Sequence, residues 1–348
     1  NKKTMAVSFT GAKTAQSEFP EIIQEIYSDS PTFRGETIEL VEGHKSGMDI
    51  YESSAEVIFS AANYGPVTAD NVALKSQKST VNLKTFNVEG IIDESSLLGT
   101  RYQKSMKAGA YEVVSDEFDQ KVLIQVQPAT SAKLESGVWN GATTATKAAI
   151  AALTPNAAQG SISAGAQTLV AAMPTTLFDS VPATMLYNDS QSKAVPGAGL
   201  GDYKKVLSIA AVTSATIVAE YVKLYNTIPD DILVLTGDDA PVIYAPKGDY
   251  KLIKTVNRVQ GAALQENFVG STFNDMYFND VKIVFVDLVG FRIAAQKFNL
   301  KLVMDLLSDS SQLIIEKEAN ASTRRIIKII NTMTTWVVKQ KWNVLYAG

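Results

Sequence analysis

The sequence predicts a mixed α+β protein in which one compact unit carries long extensions without a core of their own. Three observations lead there. The apolar pattern alternates with period two within residues 37–93, becomes helical from about residue 95, and turns β-rich again after residue 290. Apolar residues are too thinly spread over those first 93 positions to close a core. The whole chain, with 348 residues of which 46% are hydrophobic, can nevertheless bury a large one elsewhere.

Residues 1–36 are expected to form an arm. Ser17-Glu18-Phe19-Pro20-Glu21 can cap a short helix with Ile22, Ile23 and Ile26 on one face, and Gly11, Ser28, Ser30, Pro31 and Gly35 break up the rest. Residues 37–93 are expected to form a long two-stranded excursion. Val81, Leu83 and Thr85 alternate with Asn82, Lys84 and Phe86, Glu56-Val57-Ile58-Phe59 is a second strand candidate, and Gly43, Gly47, Gly65-Pro66 and Asp70-Asn71 supply turns. An isolated hairpin is marginal in water, so this one needs a surface to lie on.

A long, mostly solvated helix is expected from Ser95 to Ser136, with Tyr111, Val114, Phe118 and Val122 on one face. Gly109 and Pro128 should interrupt or kink it, and Gly137-Val138-Trp139-Asn140-Gly141 ends it. Thr143–Leu153 is a short alanine-rich helix. Residues 156–202, rich in Ala, Ser, Thr, Gly and Pro, are expected to be loops or a small insertion.

Residues 202–289 form the compact α/β unit. Val218, Tyr221, Val222 and Tyr225 share a helix face that Pro229 stops. Ile232-Leu233-Val234-Leu235 is expected to be a buried strand, Gly237-Asp238-Asp239-Ala240-Pro241 a loop entering a helix, Lys251–Val259 a helix and Val281–Val286 a strand. Residues 290–348 are β-rich, with Leu300–Met304, Gln312–Ile315, Arg324–Ile330 and a last strand in which Trp336, Val338, Trp342 and Val344 alternate with lysines.

The inventory of chemistry is short. The absence of cysteine removes disulfides, thiolate metal sites and cysteine nucleophiles. The lone histidine, His44, falls in a glycine-flanked turn and reads as an exposed loop residue instead of a catalytic base. Asp230-Asp231, Asp238-Asp239, Asp305 and Asp309 could be paired for magnesium or acid–base work, but turns and helix caps explain them. Gly197-Ala198-Gly199-Leu200-Gly201 follows no strong strand and lacks the Gly-Lys-Ser/Thr ending of a phosphate loop. Arg324-Arg325 and the C-terminal lysines are too few for a nucleic-acid groove, and Trp139, Tyr221 and Tyr225 read as core aromatics. No catalytic, cofactor-binding or metal-binding residue is assigned, and no cofactor is expected.

A net charge of −4 argues against a basic nucleic-acid binder. The most apolar long window, Leu207–Val222, is interrupted by Ser208, Thr213, Ser214, Thr216 and Glu220, so no transmembrane helix is expected. The first residues lack the apolar run of a signal peptide, and Asn1 stands where an initiator methionine would be, which trimming or proteolytic maturation would each explain.

The order of these segments resembles the Hong Kong 97-type major capsid proteins of tailed phages. Thr80–Phe86 leading through Ile91–Leu97 is similar to the strand that returns from the family's extended loop into its spine helix, and Val138-Trp139-Asn140-Gly141 to the end of that helix. Ile232–Thr236 with Asp238–Tyr244 resembles the strand and short helix of the axial domain, Asn279–Val284 the strand that leaves it, and Phe291–Ala295, Leu300–Asp309 and the last strands the return into the peripheral domain. The resemblance implies an arm (1–36), an extended β-hairpin loop (37–93), a first peripheral part with the spine helix (94–201), an axial domain (202–289) and a second peripheral part (290–348). It implies a structural subunit and not an enzyme. Hexamers and pentamers would close an icosahedral virion head around double-stranded DNA, assembled in the host cytoplasm without a membrane. Portal, scaffold and decoration proteins are the further partners it implies, and prohead-protease maturation would account for Asn1. An encapsulin-like bacterial compartment shell and an extracellular binding module are the alternatives.

Overall fold

The computed structural model describes residues 13–14, 32, 35–45, 47–57, 72–93, 116–153, 163–194, 204–207, 211–260, 268–305, 312–317, 324–338 and 342–347. Among them, two sheets of six and seven strands and a separate two-stranded ribbon account for the β-structure. The expected short helix at residues 17–26, Tyr111, Val114, Gly109, the run 197–201 and Asp309 lie outside the described residues.

The ribbon is the expected excursion: β3 (Met48–Val57) pairs antiparallel with β4 (Val72–Val81) over ten residues, Met48 opposite Val81 and Val57 opposite Val72. The alternation from Val81 to Val88 is not one strand. Asn82 and Leu83 separate β4 from β5 (Lys84–Asp93), which joins the six-stranded sheet. That sheet runs β1 (Lys13–Thr14), β13 (Gln312–Lys317), β14 (Arg324–Val337), β12 (Leu300–Met304) and β2 (Glu39–Val41), with β5 on the other side of β14. The fourteen residues of β14 make it the axis of the sheet, its first part between β13 and β5 and its last part against β12.

The helix ending at Trp139 is α1 (Asp116–Trp139), and it continues through Pro128. The expectation of a mostly solvated helix is corrected over its last turns: Thr130, Ser131, Leu134, Val138 and Trp139 are buried. Trp139 stacks on Tyr244 with ring centroids 5.2 Å apart, and its Nε1–H donates to Thr32 Oγ1 at 2.9 Å. Thr32 in turn donates to Glu135 at 2.8 Å, so the chain is pinned to the end of α1 before it enters β2.

The short helix expected over Thr143–Leu153 is α2 (Thr144–Ala151). The loops expected over residues 156–202 are corrected, because two helices run through that segment: α3 (Ala164–Ala172) and α4 (Val181–Ala194). The Thr143 and Ser163 side chains accept from the backbone N–H of Thr146 and Ala166 and so cap α2 and α3. Ile150, Ala166, Val170, Val181, Met185 and Leu186 are core residues, held there because alanine-rich turns are strong helix formers that pack closely.

The seven-stranded sheet runs β6 (Lys204–Leu207), β15 (Val344–Ala347), β11 (Phe291–Gln296), β7 (Pro241–Pro246), β10 (Val281–Val286), β9 (Asp275–Phe278) and β8 (Phe268–Thr272). It crosses the expected boundary at residue 290, since β11 and β15 pair within it. Strand alternation divides its residues between two cores. Tyr244, Val286, Ile293 and Leu345 join α1–α4 and the six-stranded sheet in one. Ile243, Ala245, Ile283, Phe285, Ala294 and Tyr346 join α5 (Ile217–Thr227) and α7 (Lys247–Gln260) in the other.

Three local expectations fail here. Ile232–Leu235 is not a strand: Asp230–Leu233 forms a single helical turn, α6, behind Pro229, and Val234 is 76% exposed. A four-residue apolar run has no periodicity to tell the two apart. Gly237–Asp239 is a 3-10 turn that enters β7 at Pro241, and the helix begins only at Lys247. The last alternation is broken, because Trp336 belongs to β14, the chain leaves that sheet after Val337, and Val344 starts β15 in the other sheet. On α5 the buried face is Ile217, Glu220, Tyr221 and Leu224, while Val222 is exposed.

Candidate assembly interface

The sequence-singled residues do not converge. His44 is buried, at 8% exposure, and not an exposed loop residue; its backbone N–H donates to Met304 O at 3.2 Å, which ties the turn after β2 to the end of β12. Asp230-Asp231 stand exposed in the first turn of α6 and Asp238-Asp239 in the 3-10 turn, where Asp239 O accepts from Gln296 Nε2 at 2.7 Å. Asp305 ends β12, its N–H reaching Thr332 O. Among the described residues no group of three or more His, Asp or Glu could hold a metal ion, and no helix is long and apolar enough to cross a membrane. Arg324 and Arg325 open β14 opposite Asp93 and Ile92. Tyr221 and Trp139 are core residues as expected, and Tyr225 packs at the edge of the core, its ring 6.1 Å from that of Phe278.

The strongest electrostatics lies in a closed core. Asp249, in the first turn of α7, accepts from Arg292 Nε and Nη2 at 2.6 and 2.7 Å and from the Tyr221 hydroxyl at 2.8 Å. The Arg292 guanidinium lies 5.2 Å from the centroid of Tyr346, whose hydroxyl donates to Glu220 at 2.8 Å; Glu220 also pairs with Lys223. Burial, reinforced by the Asp249 charge, pushes the Tyr221 hydroxyl well above the ordinary tyrosine range. Burial opposes the Arg292 charge, but the hydrogen bonds and charge of Asp249 outweigh it and raise its proton affinity. This network was missed from sequence. An arginine inside the apolar run Phe291–Ala295 is the signal that calls for a buried anion.

A cavity of about 670 Å³ opens between α1 and β10, lined by Pro128, Ser131 and Glu135 on one side and by Lys282, Val284 and Phe273 on the other. The Tyr221–Asp249–Arg292 network sits on the opposite side of the seven-stranded sheet, in the core of α5 and α7. The perturbed tyrosine and arginine and the cavity therefore do not form one site, as an acid–base centre would require.

What the chain does offer is surface for association. Among the described residues the ribbon β3–β4 belongs to no larger sheet, and its strands pair with each other. Its root is anchored: Val81 and Leu83 are buried against Val303, with Val41 and Trp336 alongside. Farther along the same sheet Ile91 is 63% exposed.

No family model matches the sequence, and no curated relative matches it. Solved structures do match. The capsid of the native GTA particle computed with C5 symmetry superposes with a TM-score of 0.53 at 7% identity, over 100% of this chain and 95% of that one. The capsid of Myoviridae phage XM1 gives 0.50 at 11% identity, over 100% and 96%. The empty GTA particle gives 0.50 at 7%, over 99% of each. The chain has the Hong Kong 97-type capsid fold. The α+β class and the family resemblance in the order of segments agree with this at the level of architecture. The match runs over nearly the whole of both chains and is not confined to one part of them.

Proposed function

We propose that this chain is a major capsid protein, a structural subunit that self-assembles into the hexamers and pentamers of an icosahedral head of a tailed bacterial virus. The observation that carries the reading is the end-to-end fold match to capsid subunits at a TM-score of 0.53. The ribbon supports it independently, because ten-residue strands that among the described residues pair with each other alone make physical sense against a neighbour.

In this reading residues 1–36 are the arm, β3–β4 the extended loop and α1 the spine helix. The six-stranded sheet with α2–α4 is the peripheral domain, and α5–α7 with the seven-stranded sheet the axial domain. The axial domain then takes residues 202–289 together with β11 and β15, which return through its sheet from beyond residue 290. The head encloses double-stranded DNA by non-specific contact. Portal, scaffold and decoration proteins are the partners that the role entails.

Electron microscopy of the purified chain tests the reading. Closed shells or capsomer rings are expected. A chain that stays monomeric at micromolar and higher concentrations overturns the shell role, and shells purified from the native host that hold a protein cargo and no DNA overturn the viral one.

A further inference from the structure

The outer surface of α5 and α7 carries charge of one sign. Lys247, Lys251, Lys254 and Arg258 follow one another on α7 at spacings of four, three and four, which sets them along one face of the helix. Lys247, Lys251 and Arg258 are exposed and Lys254 is half-buried. Lys254 Nζ lies 5.6 Å from the centroid of the Tyr250 ring, a contact that leaves its charge in place, and Lys247 stands 3.9 Å from Asp287. The carboxylates of the two helices turn inward. Glu220 is buried with Lys223 and the Tyr346 hydroxyl at hand, and Asp249 is buried with Arg292 and Tyr221. Neither helix therefore exposes an acid, in a chain whose net charge is −4.

The order of packing sets this stripe apart from the ribbon. The ribbon root seats on one face of the six-stranded sheet. The other face of that sheet shares a core with α1–α4 and the seven-stranded sheet, whose far face carries α5 and α7. The ribbon root and the stripe thus stand at opposite ends of the stack of layers. From Lys247 to Arg258 the helix spreads four cations over about 16 Å. Double-stranded DNA presents a phosphate charge about every 1.7 Å along its axis, so such a stripe meets phosphates in any register. An acidic protein segment would need carboxylates matched to the helical spacing, whereas a polyphosphate needs only its charge density.

We propose that the Lys247–Lys251–Lys254–Arg258 stripe of α7 is the surface by which the subunit holds the backbone of packaged double-stranded DNA, without reading its sequence. The inference rests on the capsid reading above and adds which face of the subunit is turned to the lumen.

The test measures binding of the dilute, unassembled chain to a fluorescent duplex of about 30 base pairs by anisotropy, over a salt series. Each phosphate contact contributes about 0.9 to the slope of log affinity against log salt. The wild-type chain should therefore lose at least about fortyfold in affinity between about 50 and 200 mM salt, from Lys251, Lys254 and Arg258 alone. The triple variant Lys251→Gln, Lys254→Gln, Arg258→Gln should lose less than about fourfold, the share of the one remaining lysine. A control of the same net charge, Lys84→Gln, Lys133→Gln, Lys297→Gln, should behave as wild type, and Lys251→Arg with Lys254→Arg should keep the full salt dependence. No binding by the wild type, or an equal loss in the control, overturns the DNA contact. All these chains should still form shells in the electron microscope. If only the triple variant fails to assemble, the stripe faces a second copy, which also overturns the DNA contact and leaves the shell reading standing. A wild-type chain that forms no shells sinks the shell reading itself.

Discussion

Replacing Asp249 by Asn removes the anion that Arg292 touches in the core of α5 and α7. Both side chains are nearly inaccessible, at 5% and 4% for Arg292 and Asp249, and Arg292 Nη1 already has no hydrogen-bond partner. The amide that replaces the carboxylate can still accept one hydrogen bond but carries no charge, and the cation–π contact with the Tyr346 ring contributes about 0.5–2 kcal/mol. Breaking a buried pair from one side costs about 3–5 kcal/mol, because a charge is left without its counterpart. In a domain of this size each kcal/mol lowers Tm by roughly 2–4 °C, so Asp249→Asn should melt roughly 6–20 °C lower. Arg292→Met should do likewise. The double variant Asp249→Leu with Arg292→Met takes both charges out of the core, and most of the loss should return. The measurement is thermal and urea unfolding of dilute, unassembled subunits, where contacts between copies add nothing by mass action. A single variant within about 1 kcal/mol of wild type, or a double variant as unstable as the worse single one, would refute the reasoning.

The Tyr221 hydroxyl, raised by burial and then by Asp249, sets the direction of an alkaline effect. Its neutral form is favoured in the fold, so its contribution is complete below the unfolded tyrosine value of about 10 and is lost as pH rises through the higher folded value. Tyr221→Phe should flatten the fall in stability above about pH 10 in a pH series of unfolding curves, and an unchanged slope counts against it. At the β8–β9 bulge Gly270 has φ +119°, and an added Cβ would lie 1.9 Å from Asp275 O. Gly270→Ala should therefore cost more than about 2 kcal/mol in urea unfolding, whereas a neutral result would mean that the turn relaxes freely. Asn279 and Asp280, at φ 44° and 68°, make the two-residue turn between β9 and β10. Asp280→Gly removes a left-handed penalty of about 1 kcal/mol and should raise Tm, and a lowered Tm would show that the Asp280 side chain holds the turn.

Periodicity made the long elements legible and failed where small residues or short runs carry the structure. α7, β10 and β12 follow from apolar runs or helical spacing, and the end of α1 from the glycines around Trp139. The strand candidates Glu56–Phe59 and Val81–Val88 touch the ribbon only at the ends of β3 and β4. α3 and α4 were hidden because Ala, Ser and Thr read as linker; Ser163 before Ala166, Leu169, Val170 and Met173 at helical spacing was the available signal. The short helical turn at Ile232 and the entry to β7 were misread because local propensity cannot see that Pro229 and Pro241 sit at the starts of those elements. The pairing of Ile91 with Ile326 could not be found from either strand alone. It exists only because long-range pairing sets a residue of β5 beside one of β14. The same holds for the Asp249–Arg292 pair, whose members are 43 positions apart.

The buried polar bonds also divide the subunit by what it can move. One core takes in both sheets, so neither can shift without breaking the packing of Trp139, Tyr244, Leu302 and Met333. The crossover from one sheet to the other is pinned as well: Gln296 donates to Asp239 O, Asn299 to Gln296, Val338 N–H to Asn299 O, and Asn343 to Val338 O. Thr335 ties β14 to the start of α4 through Asp179 O and Thr184. Opening any of these in a dry interior strands a polar group, at about 1–3 kcal/mol each. The two strands of the ribbon are joined by their own ladder, and a ladder can bend as a unit without breaking a bond. If copies of this chain must meet at unequal angles in a closed shell, the sheets and helices will keep one shape and the adjustment will fall on the ribbon.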